Sequence, residues 1–272
     1  MDSGASARCN VLERLLLDQS EQPTDLPLSL LEEITNSFSD DREIGKGGFA
    51  VVYKGMLGNR PVAVKKLSNT HLHENKFHQE VECLMKVKHR NIVRFLGYCA
   101  DTQGKMEKYN EKFVMADVQQ RLLCFEYLPK GSLDKYITDA SCGLKWRERY
   151  RIIEGICKGL QYLQQNHIVH LDLKPANILL DDNMVPKITD FGLSRCFDET
   201  QSRAITSKLF GSIGYFPPEF YSGKITFKSD MYSLGIIITE ILTGEKGYCS
   251  VDDVLEIWRN RLGKSQEDTE LK

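Results

Sequence analysis

Hydrophobic residues recur at two different spacings in the first half of the chain, and these spacings predict strands followed by a helix. The runs VVYKGML and RPVAVKKL are rich in β-branched residues and are separated by the dipeptide GN, which is favoured in hairpin turns. In NKFHQEVECLMKVKH, the residues Phe77, Val81 and Leu84 follow helical spacing, and Glu80 lies on the same stripe. A carboxylate in that position needs a cation or access to water, so Glu80 is a candidate for an ion pair.

Later in the chain the spacing becomes helical. Two apolar runs, IVRFLGYC and RLLCFEYL, predict strands on either side of a polar segment from about 101 to 120, which we expect to be an exposed insertion. After residue 129, Ile152, Ile156 and Leu160 mark a helix that faces the core. The stretch SDMYSLGIIITEILTG is apolar on nearly every side, which predicts a buried helix with Gly244 at its C-terminal cap.

The order of these elements predicts an α+β chain of two lobes with a cleft between them. Residues 1–28, in which two prolines interrupt any long helix, are expected to form a leader outside the main fold. The first lobe would span residues 29–128 and begin with a short helix in LSLLEEITNSF, capped by Ser29. The second lobe would span residues 129–272.

Composition excludes several classes of protein. The chain has 272 residues, of which 41% are hydrophobic and 27% charged, and its net charge of −2 gives no electrostatic reason to expect nucleic acid as a partner. Its eight cysteines contain no C-x-x-C pair, which indicates reduced thiols in the cytoplasm rather than a zinc or redox site. No apolar run approaches the roughly 20 residues of a membrane helix, so we expect no membrane span.

A glycine-rich stretch, IGKGGFAVVYKG, begins at the first predicted strand. Gly45, Gly47 and Gly48 allow a tight turn whose N–H groups can approach phosphate oxygens, although a glycine-rich hairpin without a ligand is the alternative. The stretch lacks both the helix of a dinucleotide fingerprint and the G-K-[ST] ending of a P-loop. Lys65 ends the apolar strand VAVK, where a lysine is unexpected unless it reaches a ligand, so we expect it to pair with Glu80.

A second group of polar residues interrupts apolar sequence in the other half of the chain. HLDLKPANILL contains Asp172, Lys174 and Asn177, and KITDFG delivers Asp190 at the end of another short strand. For each residue alone, a polar turn between core segments is the alternative. Together they form the set that phosphoryl transfer needs: a carboxylate to orient the attacking hydroxyl, a cation near the phosphate, and oxygen ligands for magnesium.

With these motifs the chain resembles a eukaryotic protein kinase over about residues 30–260. LEEITNSFSDDREIGKGGFAVVYKG and GSIGYFPPEFYSGKITFKSDMYSLGIIITEILTG are similar to the plant receptor-like kinases. The resemblance implies the bilobal kinase fold, with an antiparallel sheet and one main helix in the first lobe and a mostly helical second lobe. It also implies ATP and Mg²⁺ as cofactors. Lys174 and the GSIGY segment resemble serine/threonine rather than tyrosine kinases, so Ser or Thr hydroxyls of proteins would be the acceptors.

The resemblance further implies a role for each matched residue. Asp172 would be the catalytic base and Lys174 would steady the transferred phosphate. Lys65, paired with Glu80, would hold the α- and β-phosphates. The magnesium ligands would be Asn177 and Asp190.

The same resemblance places a set of residues around ATP. Phe125 would be the gatekeeper, and Glu126 to Leu128 would form the hinge to the second lobe. The expected ATP-binding positions are Ile44, Gly45, Lys46, Gly47, Gly48, Phe49, Ala50, Val51, Val52, Ala63, Lys65, Phe125, Glu126 and Leu128.

The chain departs from the kinase pattern at several positions. Ala50 replaces the third glycine, with a modest effect expected on nucleotide affinity. Leu171 replaces the arginine before the base, so activation-loop phosphate would not pair with an arginine there. The chain ends soon after Gly244, so we expect an incomplete second lobe, an unpaired Glu219 and partial exposure of LGIIITEIL. The candidate phosphosites, each also explained as an ordinary loop residue, are Thr200, Ser202, Thr206, Ser207 and Ser212.

The sequence is compatible with three functions. A serine/threonine protein kinase is the leading hypothesis. The alternative is a pseudokinase or decoy that binds nucleotide or partners without efficient catalysis, and a small-molecule kinase is a further rival. The family resemblance implies protein substrates, receptor or co-receptor kinases as partners, and a place in the cytoplasm at the inner face of the plasma membrane.

Overall fold

The computed structural model divides into two compact units. The first contains residues 1–86 and 93–127, and the second contains residues 87–92 and 128–272. The division after Tyr127 lies next to the boundary that the sequence analysis placed after Leu128. The structure describes residues 11–68, 74–109, 112–137, 143–198, 203–205, 211–247, 250, 252–257 and 259.

The first unit is built on a six-stranded sheet. In sequence order two helices lie between strands of this sheet, and a further helical segment, α1, covers residues 11–17. The strand order is β1-β5-β6-β4-β3-β2, in which only the β1–β5 pair is parallel. The bounds are β1 Thr24–Asp25, α2 Leu28–Ile34, β2 Glu43–Lys46, β3 Ala50–Leu57, β4 Arg60–Leu67, α3 Glu74–Lys86, β5 Phe95–Tyr109 and β6 Lys112–Glu126.

The expected separation of residues 1–28 from the main fold is wrong for the part that the structure describes. Leu12, Leu15 and Leu26 are buried in the same cluster as Val62 and Val64 of the sheet. These three leucine side chains are buried because removing their apolar surface from water lowers the free energy of the folded chain. Residues 11–28 therefore pack as part of the first unit.

The helix in LSLLEEITNSF forms, but Ser29 does not cap it. Helix α2 begins at Leu28, its N-cap is Pro27, and no side chain accepts a hydrogen bond at this end. Pro27 already has φ of −62° and an extended ψ of 139°, a conformation suited to the residue before a helix. Ser29 consequently falls inside the first turn.

Strands β5 and β6 run through the segment that was expected to be an insertion between two strands. Antiparallel pairing continues from Cys99 opposite Leu122 to Tyr109 opposite Lys112. Exposure is confirmed, because Met106, Phe113 and Met115 are all more than half exposed. The strands are longer than predicted because the N–H and C=O groups of alternate residue pairs bond across the ribbon even where no core covers it.

The second unit is dominated by two long helices, α4 and α5, with short sheets beside them. Ile152, Ile156 and Leu160 of α4 are buried, as predicted. Gly159 lets α4 pack closely against the backbone of Asn91, because a Cβ at Gly159 would lie 2.9 Å from the carbonyl oxygen of Asn91. The bounds are β7 Gly131–Ser132, α4 Trp146–Gln165, β8 Ile168–Val169, β9 Ile178–Leu180, β10 Pro186–Ile188, β11 Arg195–Cys196, β12 Arg203–Ile205, β13 Lys224–Thr226 and α5 Phe227–Thr243.

Helix α5 begins and ends as its sequence indicates. Thr226 accepts a hydrogen bond from the N–H of Lys228, and Gly244 takes the left-handed conformation (φ 82°) at the predicted C-terminal cap. The expected partial exposure of LGIIITEIL is limited to Ile238 and Leu242, which are half-buried. The other large apolar residues of this stretch are buried: Leu234, Ile236, Ile237 and Ile241.

Two further expectations concerned the pairing of Glu219 and the absence of a membrane span. Glu219 is half-buried, and no cation pairs with its carboxylate within the part of the chain that the structure describes. Within the same residues, every helix is too short or too polar to cross a bilayer.

Candidate active site

An ion pair in the first unit joins strand β4 to helix α3. Alternation along β4 buries Val62 and Val64 on one face, so Lys65 projects from the other face. Its Nζ lies 2.7 Å from Oε1 of Glu80, whose side chain is 3% exposed, whereas that of Lys65 is 14% exposed. The predicted pair is therefore confirmed, and the buried carboxylate of Glu80 is balanced by the ammonium group.

Lys66, the next residue of β4, faces the other side of the strand. Its ammonium lies 4.2 Å from the ring centroid of Phe38. Burial lowers the pKa of Lys66, and the nearby carboxylate of Glu32 opposes that effect. The side chain thus packs on an aromatic ring rather than extending into water.

The glycine-rich turn joins β2 to β3. The N–H of Gly47 donates to the carbonyl oxygen of Ala50 at 2.8 Å, which closes the turn. A Cβ on Gly48 would meet no atom within 4 Å, and one on Gly45 would come no closer than 3.9 Å. Packing within the chain therefore does not require glycine at positions 45 and 48. The open space beside the turn would allow a ligand to approach the backbone closely. Ala50 contributes to this turn through its backbone carbonyl group. Any residue has such a group, so the hydrogen bond does not depend on the side chain at this position.

Four of the expected ATP-binding residues share one face of the sheet. Val52 lies opposite Lys65 across β3 and β4, and Ala63 lies opposite Phe125 across β4 and β6. Because cross-strand partners and residues two apart point to the same side, all four side chains project together. Phe125 is 7% exposed and packs against Phe95.

The remaining expected ATP-binding positions have more varied surroundings. Ile44 and Phe49 are 46% and 55% exposed. Oε1 of Glu126 accepts a hydrogen bond from the N–H of Arg94 at 2.7 Å. Leu128 is buried in the second unit. Lys46 is exposed and Val51 is half-buried.

In the second unit, a hydrogen-bonded group surrounds the carboxylate of Asp172. Oδ2 accepts from Nζ of Lys174 and from Nδ2 of Asn177, each at 2.9 Å, and Oδ1 accepts from the hydroxyl of Ser212 at 2.8 Å. Nζ of Lys174 also donates to Oγ of Ser212 at 2.6 Å. The structure therefore brings together the three residues expected from HLDLKPANILL and adds Ser212, which the sequence analysis considered only as a phosphosite.

A buried aspartate that the sequence analysis missed fixes the backbone before Asp172. Asp230 accepts from the N–H of His170 at 2.6 Å and from the N–H of Leu171 at 2.8 Å. Burial raises the pKa of Asp230, while the nearby His170 and the two N–H donors act in the opposite direction. Leu171 adopts a left-handed conformation with φ of 66°, which the two hydrogen bonds hold in place.

A weak sequence signal could have revealed Asp230. It is a charged residue in the first turn of a helix that is otherwise apolar nearly all round. A charge in such surroundings is buried only with partners, so this position predicts hydrogen-bond donors near Asp230. Those donors lie 60 and 59 residues away in the sequence, so the local pattern does not identify them.

A backbone hydrogen bond brings the segments of the two residues expected to bind metal, Asn177 and Asp190, together. The N–H of Thr189 donates to the carbonyl oxygen of Asn177 at 2.9 Å, and Asp190 follows directly with a left-handed φ of 66°. Nδ2 of Asn177 points to Asp172, so its Oδ1 faces away from that carboxylate. An amide oxygen and a carboxylate are the hard ligands that Mg²⁺ takes when phosphates and water complete its shell. The described residues contain no group of three acidic, His or Cys side chains that could hold a metal alone.

Leu171 occupies the expected arginine position as a core residue. It is 9% exposed and packs in a cluster with Val169, Phe197, Phe220 and Ile225. Its side chain can offer no ion pair to a phosphate. Of the candidate phosphosites, Thr200, Ser202, Thr206 and Ser207 lie outside the described residues.

The chain is similar to known proteins over most of its length. The family described as protein kinase domain matches residues 38–269. The chain is 40% identical over 247 residues to cysteine-rich receptor-like protein kinase 26 of Arabidopsis thaliana, covering 85% of this chain and 35% of that protein. It is 40% identical over 254 residues to the G-type lectin S-receptor-like serine/threonine-protein kinase RKS1 of the same plant, covering 87% and 29%. The chain spans about a third of the length of these curated relatives.

Proposed function

We propose that this chain, which belongs to the protein kinase domain family, transfers the γ-phosphoryl group of ATP to Ser or Thr hydroxyls of proteins. The observation that carries the proposal is the carboxylate of Asp172, buried and held by three hydrogen bonds, one of them from a hydroxyl group. A carboxylate in this arrangement can orient an attacking hydroxyl and take its proton.

The first unit would bind the nucleotide. Its glycine-rich turn has open space beside Gly45 and Gly48, and the ammonium of Lys65 is fixed by Glu80. Fixed donors of this kind stabilise phosphate charge without having to reorganise during the reaction. The apolar face formed by Val52, Ala63 and Phe125 would receive the adenine ring.

The second unit would supply the groups that act on the acceptor. Oδ1 of Asp172 already accepts from the Ser212 hydroxyl at 2.8 Å, so a substrate hydroxyl would be oriented in the same way and would give up its proton there. Lys174 lies within hydrogen-bond distance of both groups and would balance negative charge near them. Asn177 and Asp190 would hold Mg²⁺, which supplies charge neutralisation for the phosphates when bound.

The relatives suggest a biological setting. Because they are named receptor-like kinases, we propose that this chain acts on protein substrates and associates with receptor or co-receptor kinases. The proposed location is the cytoplasm, at the cytoplasmic face of the plasma membrane. An association of this kind would be detected by fractionating plant membranes with and without a co-expressed receptor kinase.

The direct test uses the purified chain, magnesium, labelled ATP and a mixture of Ser- and Thr-containing peptides. Label should enter the peptides, and Asp172→Asn should lower the rate by about 10³-fold because it removes the proton acceptor. Asp182→Asn, which changes an exposed aspartate elsewhere in the same unit, serves as the matched control and should leave the rate unchanged.

Two results would replace the proposal. Equal labelling by the wild-type chain and Asp172→Asn, together with a melting temperature that rises when magnesium and ATP are added, would support a nucleotide-binding pseudokinase. Label that enters a metabolite extract and no peptide would support a small-molecule kinase.

A further inference from the structure

The ribbon formed by β5 and β6 carries an apolar surface that has no part in the reaction proposed above. Antiparallel pairing joins residues 99–109 of β5 to residues 112–122 of β6. Three large apolar side chains of the ribbon are more than half exposed: Met106 at 59%, Phe113 at 70% and Met115 at 68%. Covering such side chains with another surface lowers the free energy, so an exposed cluster of them marks a candidate interface.

The three exposed side chains lie on one face of the ribbon. Met106 is directly opposite Met115, and Phe113 is two residues from Met115 along β6. Opposed residues, and residues two apart on one strand, point to the same side of a sheet. The same alternation leads from Met115 to Arg121, whose guanidinium lies 5.8 Å from the ring centroid of Phe77 in α3. This face is therefore on the side of the sheet where α3 packs.

Two opposite charges lie on either side of the apolar centre of this face. The tip of the ribbon is the end at which β5 ends and β6 begins, and the base is the end next to the rest of the sheet. Lys108 lies two residues from Met106 towards the tip, and Asp117 lies two residues from Met115 towards the base. In the part of the chain that the structure describes, neither charge forms an ion pair. Four residues of strand separate them, or about 13 Å, so they cannot pair with each other.

We call this surface the outer face of the ribbon. It consists of Thr102, Gly104, Met106, Lys108, Phe113, Met115, Asp117 and Gln119.

A second copy of the outer face is complementary to the first when the two ribbons run in opposite directions. With a two-fold axis beside Met106 and Met115, the tip of each ribbon would cover the base side of the other. Lys108 of each copy would then lie near Asp117 of the other copy, because both are two residues from the axis on opposite sides of it. Ribbons that run in the same direction would bring like charges to the same level, which is unfavourable. Charge complementarity therefore selects the antiparallel arrangement.

Gly104 leaves room for the large aromatic ring in this arrangement. A Cβ at Gly104 would lie 3.4 Å from Sδ of Met115, so the thioether of Met115 covers the glycine and no side chain projects from that position. Phe113 of the second copy would approach the same region, because Gly104 is on the base side and Phe113 is on the tip side. Thioether sulfur makes favourable contacts with aromatic rings.

The opposite face of the ribbon lacks this pattern. Lys105 and Lys112 are exposed there, and its apolar residues are smaller: Val114, Ala116 and Val118. A two-fold contact on that face would bring lysines together without the large apolar centre of the outer face.

The size of the outer face limits the strength of the contact. Seven residues of each strand give a length of about 24 Å, and two strands give a width of about 10 Å. A contact of this size buries less than the roughly 1,200 Å² of the smallest standard interfaces, so association is expected to be weak and reversible.

We propose that the outer face of the ribbon joins two copies of this chain in a reversible dimer with two-fold symmetry. Met106, Phe113 and Met115 form its apolar centre, and two ion pairs between Lys108 and Asp117 set its orientation. The inference does not depend on the proposed kinase function, because no residue assigned to ATP, magnesium or the acceptor hydroxyl lies on this face.

The test measures self-association of the purified full chain at low salt. Sedimentation equilibrium from about 5 to about 500 μM should show a monomer–dimer equilibrium with a dissociation constant of about 50 μM, the affinity of a weak and transient contact. Phe113→Ser removes the largest apolar side chain of the face and should weaken the dimer about tenfold. Thermal unfolding of each variant should match that of the wild-type chain, because the changed side chains are exposed.

Charge reversal tests the orientation of the two copies. Lys108→Asp and Asp117→Lys each bring like charges together, so each should weaken the dimer about tenfold. The double variant Lys108→Asp/Asp117→Lys restores opposite charges and should return the dissociation constant to within about threefold of the wild-type value. Lys105→Asp is the matched control, because it makes the same change of charge on the opposite face of β5 and should change the constant less than about twofold.

Several results would overturn the inference. These are a chain that stays monomeric at about 500 μM, a dimer that Phe113→Ser does not weaken, and a double variant that associates no better than the single variants. An assembly larger than a dimer would also overturn it, because a two-fold contact closes at two copies. A monomeric chain that binds phosphatidylcholine–phosphatidylserine vesicles only while Phe113 is present would assign the face to a lipid surface instead.

Discussion

Glu80 in the first unit and Asp172 in the second are both buried carboxylates within hydrogen-bond distance of a lysine, but different features of the fold position them. Glu80 projects from helix α3 towards a lysine on strand β4, so regular secondary structure sets both ends of the pair. Asp172 lies between the short strand β8 and a single turn of 3₁₀ helix, and hydrogen bonds from Lys174, Asn177 and Ser212 fix its carboxylate.

This difference determines how each group should respond to mutation. An ion pair between two regular elements can be replaced by apolar residues without loss of the fold, because strand and helix keep their own backbone hydrogen bonds. A loop that depends on side-chain hydrogen bonds loses its geometry when one acceptor is removed.

The largest effect should follow from Lys65→Met. The variant removes the phosphate-binding ammonium and the neutralising partner of Glu80, so we expect transfer to fall by about 10³-fold and the free energy of unfolding to fall by about 3 kcal/mol. Peptide labelling and urea unfolding measure the two effects.

The double variant Lys65→Met/Glu80→Leu separates these effects. Its stability should return to within about 1 kcal/mol of the wild-type value, because no charge is left buried, while transfer stays lost. Stability that remains as low as in the single variant would show that the pair is essential to the first unit's fold.

Asp230→Asn should damage the second unit through its loop. The amide replaces one carboxylate oxygen by an N–H₂ donor, which would face the N–H of His170 or Leu171. We expect unfolding free energy to fall by about 2–3 kcal/mol and transfer to fall with it, because the backbone before Asp172 is released. Thermal unfolding and labelling would be compared with Asp182→Asn. Unchanged stability would exclude the anchoring role.

The thiols of the first unit should make stability depend on pH in alkaline solution. Burial raises the pKa of Cys99 to about 11 and that of Cys124 to about 12, against an ordinary value near 9. Above pH 9 the unfolded chain loses these protons while the folded chain keeps them, so stability falls as pH rises, by up to about 1.4 kcal/mol per pH unit for each thiol.

Variants assign that slope to particular residues. Cys124→Ala should remove its share of the slope between pH 9 and 11 in urea-unfolding experiments. Cys157→Ala in the second unit changes a half-buried thiol, whose pKa burial raises less, and should alter the slope little. Equal slopes in the wild-type chain and Cys124→Ala would contradict the assignment.

The smallest effect is expected from phosphatase treatment. Leu171 packs in an apolar cluster and can form no ion pair with a phosphate group, so dephosphorylation should change the transfer rate by less than about twofold. Initial rates would be compared with those after treatment with heat-inactivated phosphatase. A loss of tenfold or more would mean that another cation receives activation-loop phosphate.

Several parts of the fold and site could be predicted from sequence, and they share a physical basis. The Lys65–Glu80 pair follows from the two-residue period of a strand and the 3.6-residue period of a helix. The cap at Gly244 follows from glycine's freedom to take positive φ. The helix cap at Ser29 was wrong because several residues near a helix start can serve, and the neighbouring Pro27 took that position.

Periodicity and residue type are local properties, so they predicted most helices and strands and the candidate residues Lys65, Glu80 and Asp172. Other features became visible only in the folded chain: Asp230 anchors the loop before Asp172, residues 11–28 join the core of the first unit, and Asp134 faces a cavity. Each of these depends on partners distant in the chain. Burial and hydrogen-bond satisfaction arise only when those segments meet, so no local pattern contains them.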